Sequence, residues 1–102
     1  MSIKKRYLKT KPICKVTFRL SKKAAKGAEK VYLVGDFNEW DKKKAPMRKL
    51  KDGSFSKVLD LQPGKEYQFR YLLDNKEWEN DWKADKYVKS SYPGVDNSLV
   101  TL

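Results

Sequence analysis

The sequence predicts an all-β protein, a β-sandwich built from six or seven short strands. Apolar and polar residues alternate wherever a pattern is clear, whereas the period of an amphipathic helix is nearly absent. Turn residues interrupt these segments about every eight to twelve residues, which is typical of sandwiches. The chain has 102 residues, enough for one domain with a single core, and it contains no internal repeat.

The first predicted strand covers residues 14–20, where apolar side chains at alternate positions share one face. Residues 21–28 begin with Ser21, a residue type that caps helices, and contain two adjacent alanines. Because this segment is only about two turns long and has Gly27 near its end, it predicts a loop or a single turn. The apolar run 31–34 ends at Gly35 and predicts a central strand covered on both faces.

The remaining predicted strands are separated by motifs rich in Gly, Pro, Asp and Asn, the residues that favour turns. These strands cover residues 47–50, 55–61, 67–73 and 98–102. The turns lie at residues 51–54, 62–65 and 74–76, and Tyr92, Pro93 and Gly94 break the chain before the last strand.

The net charge of +11 is concentrated near the N-terminus. Residues 1–30 hold eleven Lys and Arg but one acidic residue, whereas residues 31–102 hold thirteen basic and twelve acidic residues. Since no alternation is visible before Ile13, we expect residues 1–12 to form a basic arm outside the sandwich of residues 13–102. Such an arm keeps a protein soluble and binds phosphate non-specifically.

Several classes of site are excluded or disfavoured by composition. The chain has no histidine and one cysteine, Cys14, which excludes an internal disulfide, a Cys/His zinc site and a triad with an imidazole. Two groups of carboxylates could supply a pair for glycoside hydrolysis, but lysines interleave both groups in turn segments, as in solvated loops. These groups are Asp36, Glu39 and Asp41, and Asp74, Glu77, Glu79, Asp81 and Asp85. We therefore expect no enzyme activity, no metal and no cofactor.

The three tryptophans are the most informative residues. Trp40, Trp78 and Trp82 all have charged neighbours in the chain, which makes them poor candidates for the core. Flat indole rings bury the apolar C–H faces of a pyranose, while polar side chains such as Arg70, Lys76 and Asn97 bind its hydroxyls. The alternative is that these rings close the open ends of the sandwich, and this alternative weighs most for Trp82.

Three segments together resemble carbohydrate-binding module family 48. They are VYLVGDFNEW at residues 31–40, YQFRYLLD at residues 67–74 followed by Trp78, and GVDNS at residues 94–98. This family includes the N-terminal module of isoamylase and branching enzymes and the glycogen-binding domain of the AMP-activated protein kinase beta subunit. The resemblance covers residues 13–102 and implies an immunoglobulin-like β-sandwich of the early-set type.

The resemblance also implies a binding site. Trp40 and Trp78 match the two stacking tryptophans of the family, Arg70 stands where a lysine binds sugar hydroxyls, and Asn97 matches an asparagine with the same role. Pro93 replaces a leucine that presses on the sugar, so we expect Tyr92 to supply this apolar contact. Val95 replaces a sugar-contacting threonine.

From the residues and the resemblance we expect non-catalytic binding of an α-1,4-linked glucan such as glycogen or a maltooligosaccharide. One alternative is an interaction or regulatory domain that serves a separately encoded glucan-processing enzyme. Another is weak nucleic-acid binding through the basic arm. No apolar run approaches the roughly 20 residues that span a membrane, and no apolar stretch follows the basic N-terminus as in a secretory signal. We therefore expect a cytoplasmic protein without membrane contact.

Overall fold

The computed structural model describes residues 3–90 and 95–102. Within these ranges the chain forms nine strands, one single-turn helix and one 3₁₀ turn. The strands are β1 (Ile3–Tyr7), β2 (Cys14–Leu20), β3 (Val31–Gly35), β4 (Arg48–Lys49), β5 (Phe55–Leu61), β6 (Glu66–Leu73), β7 (Glu77–Glu79), β8 (Lys86–Lys89) and β9 (Asp96–Thr101). The helix α1 spans Lys22–Ala25, and the 3₁₀ turn spans Asp36–Asn38. No helix of the described ranges has the length and apolar content to cross a bilayer.

The strands form two antiparallel sheets that pack face to face. The first sheet has the order β1-β2-β5-β4, and the second has the order β3-β6-β9-β8, with β7 paired to β6 beyond the end of β9. Alternate residues of both sheets meet in one core, for example Phe18 of β2 and Phe69 of β6, whose ring centroids lie 5.0 Å apart. The predicted immunoglobulin-like β-sandwich is confirmed.

The predicted single turn after the first strand is also confirmed. Ser21 is the N-cap of α1, and its hydroxyl accepts a hydrogen bond from the Ala24 amide at 3.1 Å. Lys26 adopts left-handed backbone angles and ends the helix after one turn. The turn buries Ala24 and Ala25 against the core, which explains why two alanines stand in a short connection.

The prediction that residues 1–12 lie outside the sandwich is wrong for residues 3–7. These residues form β1, which pairs with β2 along its whole length, and Ile3 is buried opposite Phe18. The remaining residues of the strand, Lys4 to Tyr7, are exposed. An edge strand with a single core residue shows no alternation, so its sequence does not reveal it. The strand forms because it pairs with the edge of β2, whose hydrogen-bonding groups would otherwise be exposed.

The sequence predicts a central strand at residues 31–34, and this prediction is wrong. The apolar strand β3 lies at the end of its sheet. Its outer edge is covered by the segment 45–47, where the Leu33 amide donates to the Ala45 carbonyl and the Met47 amide donates to the Val31 carbonyl. Both faces of β3 are largely buried as expected. A continuous apolar run therefore predicts that both faces of the strand are buried, but it does not predict which strands pair with its two edges.

Two further strands were not predicted. β7 and β8 have the sequences EWE and KYVK, and both are too short and too charged to show a period. They form because β6 and β9 supply edges with unpaired hydrogen-bonding groups. The predicted break at Tyr92, Pro93 and Gly94 lies outside the described residues.

Candidate functional site

The outer face of the second sheet carries an apolar platform. Alternation along β6 turns Phe69 and Tyr71 into the core and leaves Arg70 and Leu72 on the opposite face. On that face Val34, Leu72 and Leu99 are buried, although they do not belong to the core between the sheets. Other side chains must therefore cover the platform from outside.

A groove of about 540 Å³ lies on this face, and we call it the tryptophan groove. Its central residues come from four separate elements, so the fold as a whole is needed to build it. These residues are Trp40, Gln68, Arg70, Trp78 and Asn97, and Lys42, Lys89 and Ser90 complete the lining.

Trp40 is held in place by a tight turn after β3. Glu39 and Trp40 both adopt left-handed backbone angles, and the Trp40 amide donates back to the Gly35 carbonyl at 2.9 Å. The indole Nε1 donates to Asp36 Oδ1 at 2.8 Å, while Asp36 Oδ2 accepts from the Gln68 amide at 2.8 Å. One carboxylate therefore ties the ring of Trp40 to the backbone of β6.

The same turn depends on a close approach of two strands at Gly35. A Cβ atom on Gly35 would lie 2.5 Å from the Gln68 carbonyl oxygen and 2.7 Å from Phe69 Cβ. The buried Asn38 completes the turn, since its amide nitrogen donates to the Leu33 carbonyl and its oxygen accepts from the Gly35 amide. The end of β3 therefore fits only with glycine at this position.

Trp78 reaches the groove from β7. Its Cα stands opposite Leu72 of β6, and its side chain is 37% exposed. The Arg70 guanidinium carbon lies 4.9 Å from the centroid of the Trp78 ring and 5.7 Å from that of Trp40. A single cation thus contacts both indoles, in contacts worth about 0.5–1 kcal/mol each at exposed sites.

Asn97 lies at the start of β9 and is 6% exposed. Its Nδ2 donates to Gln68 Oε1 at 3.0 Å, so the two amides form a connected polar pair. Asn97 Oδ1 is buried and accepts no hydrogen bond within the described part of the chain. Asn97 therefore keeps one unsatisfied acceptor among the described residues that line the groove.

The structure brings together four of the five predicted site residues. Trp40, Arg70, Trp78 and Asn97 line one groove, and their role in binding stays a prediction. Tyr92 lies outside the described residues. Lys76, which we considered as a hydroxyl-binding residue, does not line this groove.

Sequence reasoning missed other lining residues of the groove. Gln68 could have been found, since it precedes Arg70 by two positions and shares its face of β6. Lys89 and Ser90 could not, because they lie at the end of the unpredicted strand β8.

Asp81 differs from the solvated loop acid that its sequence context predicted. It is 1% exposed, and its Oδ2 accepts a hydrogen bond from the Tyr71 hydroxyl at 2.7 Å. Its amide donates to the Ser98 hydroxyl at 2.9 Å, and its carbonyl accepts from the Tyr87 hydroxyl. Burial, and then the charge of Asp81, raise the pKa of Tyr71 well above its usual value, so the phenol remains a donor. Asp81 therefore anchors the loop that follows Trp78.

The chain is similar in sequence to a protein family and to several known proteins. Residues 19–100 match a family model described as the glycogen recognition site of AMP-activated protein kinase. The chain is 38% identical over 72 residues, 68% of its length, to the 1,4-alpha-glucan branching enzyme GlgB of Photobacterium profundum. It is 34% identical over 74 residues, 72% of its length, to the 5'-AMP-activated protein kinase subunit beta-1 of Sus scrofa.

A third relative is the 1,4-alpha-glucan branching enzyme GlgB of Aquifex aeolicus, which is 43% identical over 65 residues, 60% of the chain. The matched segments span 10% of each branching enzyme and 55% of the kinase subunit, so the chain corresponds to a part of each relative. These matches confirm the resemblance that the sequence motifs indicated.

Proposed function

Because this chain belongs to the family of the glycogen recognition site of AMP-activated protein kinase, we propose that it binds an α-1,4-linked glucan without catalysing a reaction. The observation that carries the proposal is the tryptophan groove, in which two indole rings and one guanidinium share an open surface. The names of the two branching enzymes, which refer to 1,4-alpha-glucan, support this choice of ligand.

In this proposal Trp40 and Trp78 stack on glucosyl rings. The indoles cover the apolar C–H faces of the sugar, and both tryptophans are partly exposed in the groove. Arg70 donates to hydroxyls, and the amide pair of Asn97 and Gln68 donates and accepts. Neutral hydroxyls suit this set, since amides offer both hydrogen-bonding roles at one place.

Binding without catalysis suits a module. Since the chain corresponds to a tenth of each branching enzyme, we propose that it serves a glucan-processing enzyme by holding the polymer. An interaction domain that docks on such an enzyme without binding sugar is the competing function.

Cosedimentation with glycogen tests the proposal. We expect wild-type protein to pellet with the polymer and Trp40→Ala and Trp78→Ala each to bind more weakly. If stacking on a sugar resembles stacking on a base, about 1–3 kcal/mol per ring, each loss is roughly ten- to a hundredfold. Val58→Ala is the matched control, because Val58 is a 51% exposed apolar residue on the outer face of the first sheet. Wild-type retention by the double tryptophan variant would refute the proposal.

Salt dependence separates glucan binding from nucleic-acid binding. Stacking on a neutral maltooligosaccharide responds little to ionic strength, whereas phosphate contacts weaken steeply as salt rises. We expect an unchanged dissociation constant for the sugar between low and moderate salt, and weak retention of a random duplex that disappears over the same range. Tight duplex binding at moderate salt without any sugar signal would favour the nucleic-acid function.

A further inference from the structure

Trp82 is the one tryptophan that the tryptophan groove does not use. It follows the buried Asp81 in the loop of residues 80–85 and is 52% exposed, more than Trp78. Asp81 Oδ1 accepts from the Lys83 amide at 2.8 Å, so both neighbours of Trp82 are held in one turn. The ring is therefore presented from an anchored backbone, and it does not close the core as the alternative interpretation of the sequence required.

Trp82 lines a second concavity of about 420 Å³, which we call the edge groove. It lies where the end of β2, the cap of α1 and the turn between β4 and β5 meet the loop of residues 80–85. Leu20 and Ala24 also line it but are only 2% exposed, so the indole provides most of its accessible apolar surface. No residue lines both the edge groove and the tryptophan groove within the described chain.

The polar side of the edge groove is organised before any ligand arrives. Arg19 Nη2 donates to Asp52 Oδ2 at 3.2 Å and to the Ser54 hydroxyl at 3.3 Å. Asp52 Oδ1 accepts from the Ser54 hydroxyl at 2.6 Å and from the Ser54 amide at 2.9 Å. The two hydrogen bonds from Ser54, and then Arg19, lower the pKa of Asp52, which keeps the carboxylate ionised as an acceptor.

We propose that the edge groove is a second site for glucosyl residues of the same glucan, an inference that rests on the proposed function. An exposed indole face takes the C–H face of a pyranose. Guanidinium N–H groups and carboxylate lone pairs remain for adjacent hydroxyls, since Arg19 has five donors and its two contacts here both come from Nη2. The groove thus repeats the chemistry of the tryptophan groove with different residues.

A sugar fits the edge groove better than a protein partner does. Its volume lies within the range of about 300–1,000 Å³ that small-ligand sites occupy. A stable protein interface needs about 800 Å² on each partner around an apolar centre. Here the indole of Trp82 is the one large exposed apolar side chain among the described lining residues, and the rest of the exposed rim is made of charged and hydroxyl groups.

Two separate sites would give the module a preference for polymers. A branched glucan that occupies one groove raises the effective concentration of glucosyl residues at the other, whereas a short oligosaccharide occupies one groove at a time. We therefore expect Trp82→Ala to lower retention on glycogen about tenfold, while the affinity of the tryptophan groove for maltoheptaose stays within twofold.

The indole N–H signals in a nitrogen-15 correlation spectrum report the two sites separately, because the chain has three tryptophans. We expect maltoheptaose to shift all three signals in the wild type. In the Trp40→Ala/Trp78→Ala variant, the remaining Trp82 signal should still move and saturate. Arg19→Gln should weaken this response of Trp82 at least threefold, whereas Lys57→Gln, a change on β5 outside both grooves, should not alter it.

The outcomes distinguish this inference from the proposed function. If the Trp40 and Trp78 signals move and Trp82 does not, the second site is refuted and the proposed function stands. If Trp82 alone moves, the second site stands and the tryptophan groove is refuted. If the double variant loses its fold, wild-type retention of Trp82→Ala on glycogen refutes the second site. Thermal unfolding of Trp82→Ala controls for stability, which we expect to be unchanged since the ring is half exposed.

Discussion

The outer faces of the two sheets belong to the same sandwich but differ in what they bury. On the first sheet that face carries residues such as Thr17, Arg19 and Asp60, and its apolar Val58 is left in solvent. On the second sheet Val34 and Leu72 are buried on the corresponding face, although neither belongs to the core between the sheets. The inner faces of the two sheets form the core of a sandwich, so this covered outer face is a second organised surface, and it is the one that we propose binds the glucan.

This difference predicts that stability and binding respond to different residues. Variants of the first sheet outside the edge groove should change the free energy of unfolding and leave glucan affinity unchanged. Variants of the outer face of the second sheet should lower glucan affinity and leave the free energy of unfolding unchanged, except where one residue contributes to both.

Gly35→Ala should break this separation and have the largest effect. The added Cβ would overlap the Gln68 carbonyl and Phe69, so β3 and β6 must move apart. Forced overpacking costs up to about 3 kcal/mol, and the shift would also displace the turn that carries Trp40. Chemical denaturation and glycogen cosedimentation should both show losses. A variant with wild-type stability would mean that the strands are not held at this separation.

Ile3→Ala should lower the free energy of unfolding and leave glucan affinity unchanged. Truncation of a buried isoleucine costs about 2–5 kcal/mol, and we expect about 2 kcal/mol because Ile3 lies in an edge strand. Affinity for maltoheptaose should stay within twofold, since β1 is in the other sheet from the groove. The control is Lys4→Ala, an exposed residue of the same strand. Equal stability of both variants would show that β1 does not contribute to the core.

Asp36→Asn should lower glucan affinity and leave stability nearly unchanged. The two oxygens of Asp36 each accept one hydrogen bond, from Trp40 Nε1 and from the Gln68 amide. In asparagine an NH₂ donor replaces one of these oxygens, so one of the two hydrogen bonds is lost. We expect about a tenfold loss in glucan affinity, or about 1.4 kcal/mol, with a melting temperature within a few degrees of the wild type. Asp41→Asn, in the same loop but outside the groove lining, is the matched control. Unchanged affinity would show that Trp40 needs no support from Asp36.

Asp85→Asn should have the smallest effect and a defined pH dependence. Burial raises the pKa of Asp85, but hydrogen bonds from Lys5 Nζ at 2.6 Å and the Thr101 amide at 2.8 Å outweigh it, and the pKa falls below its usual value. A carboxyl with a lowered pKa stabilises the folded state above its unfolded pKa of about 3.9 and loses that contribution as the pH falls through the folded pKa.

For this partly exposed pair we expect about 0.5 kcal/mol at pH 7. The difference between wild type and variant in urea unfolding should therefore close below about pH 4, and high salt should reduce it at pH 7. A difference that grows on acidification would contradict the assignment of Lys5 as the partner.

Much of the fold followed from local pattern. Alternation in residues 14–20, 55–61 and 67–73 gave those strands to within a residue, and Ser21 with its alanines gave the single turn. The strands at residues 77–79 and 86–89 were harder to predict. β7 and β8 are short and charged, and their hydrogen-bonding partners lie elsewhere in the chain.

Local sequence pattern was sufficient to predict the sandwich, the single turn at Ser21 and the family motifs, because alternation and turn chemistry depend on neighbouring residues. The contacts of Arg70 with both Trp40 and Trp78 could not be predicted locally, since a contact between β6, β7 and the turn after β3 depends on strand order. The environment of Asp81 likewise depends on the tertiary structure, because Asp81 is buried where Tyr71 and Ser98 satisfy it from other strands. Charge alone predicts solvent exposure, and distant hydrogen-bonding partners override that prediction.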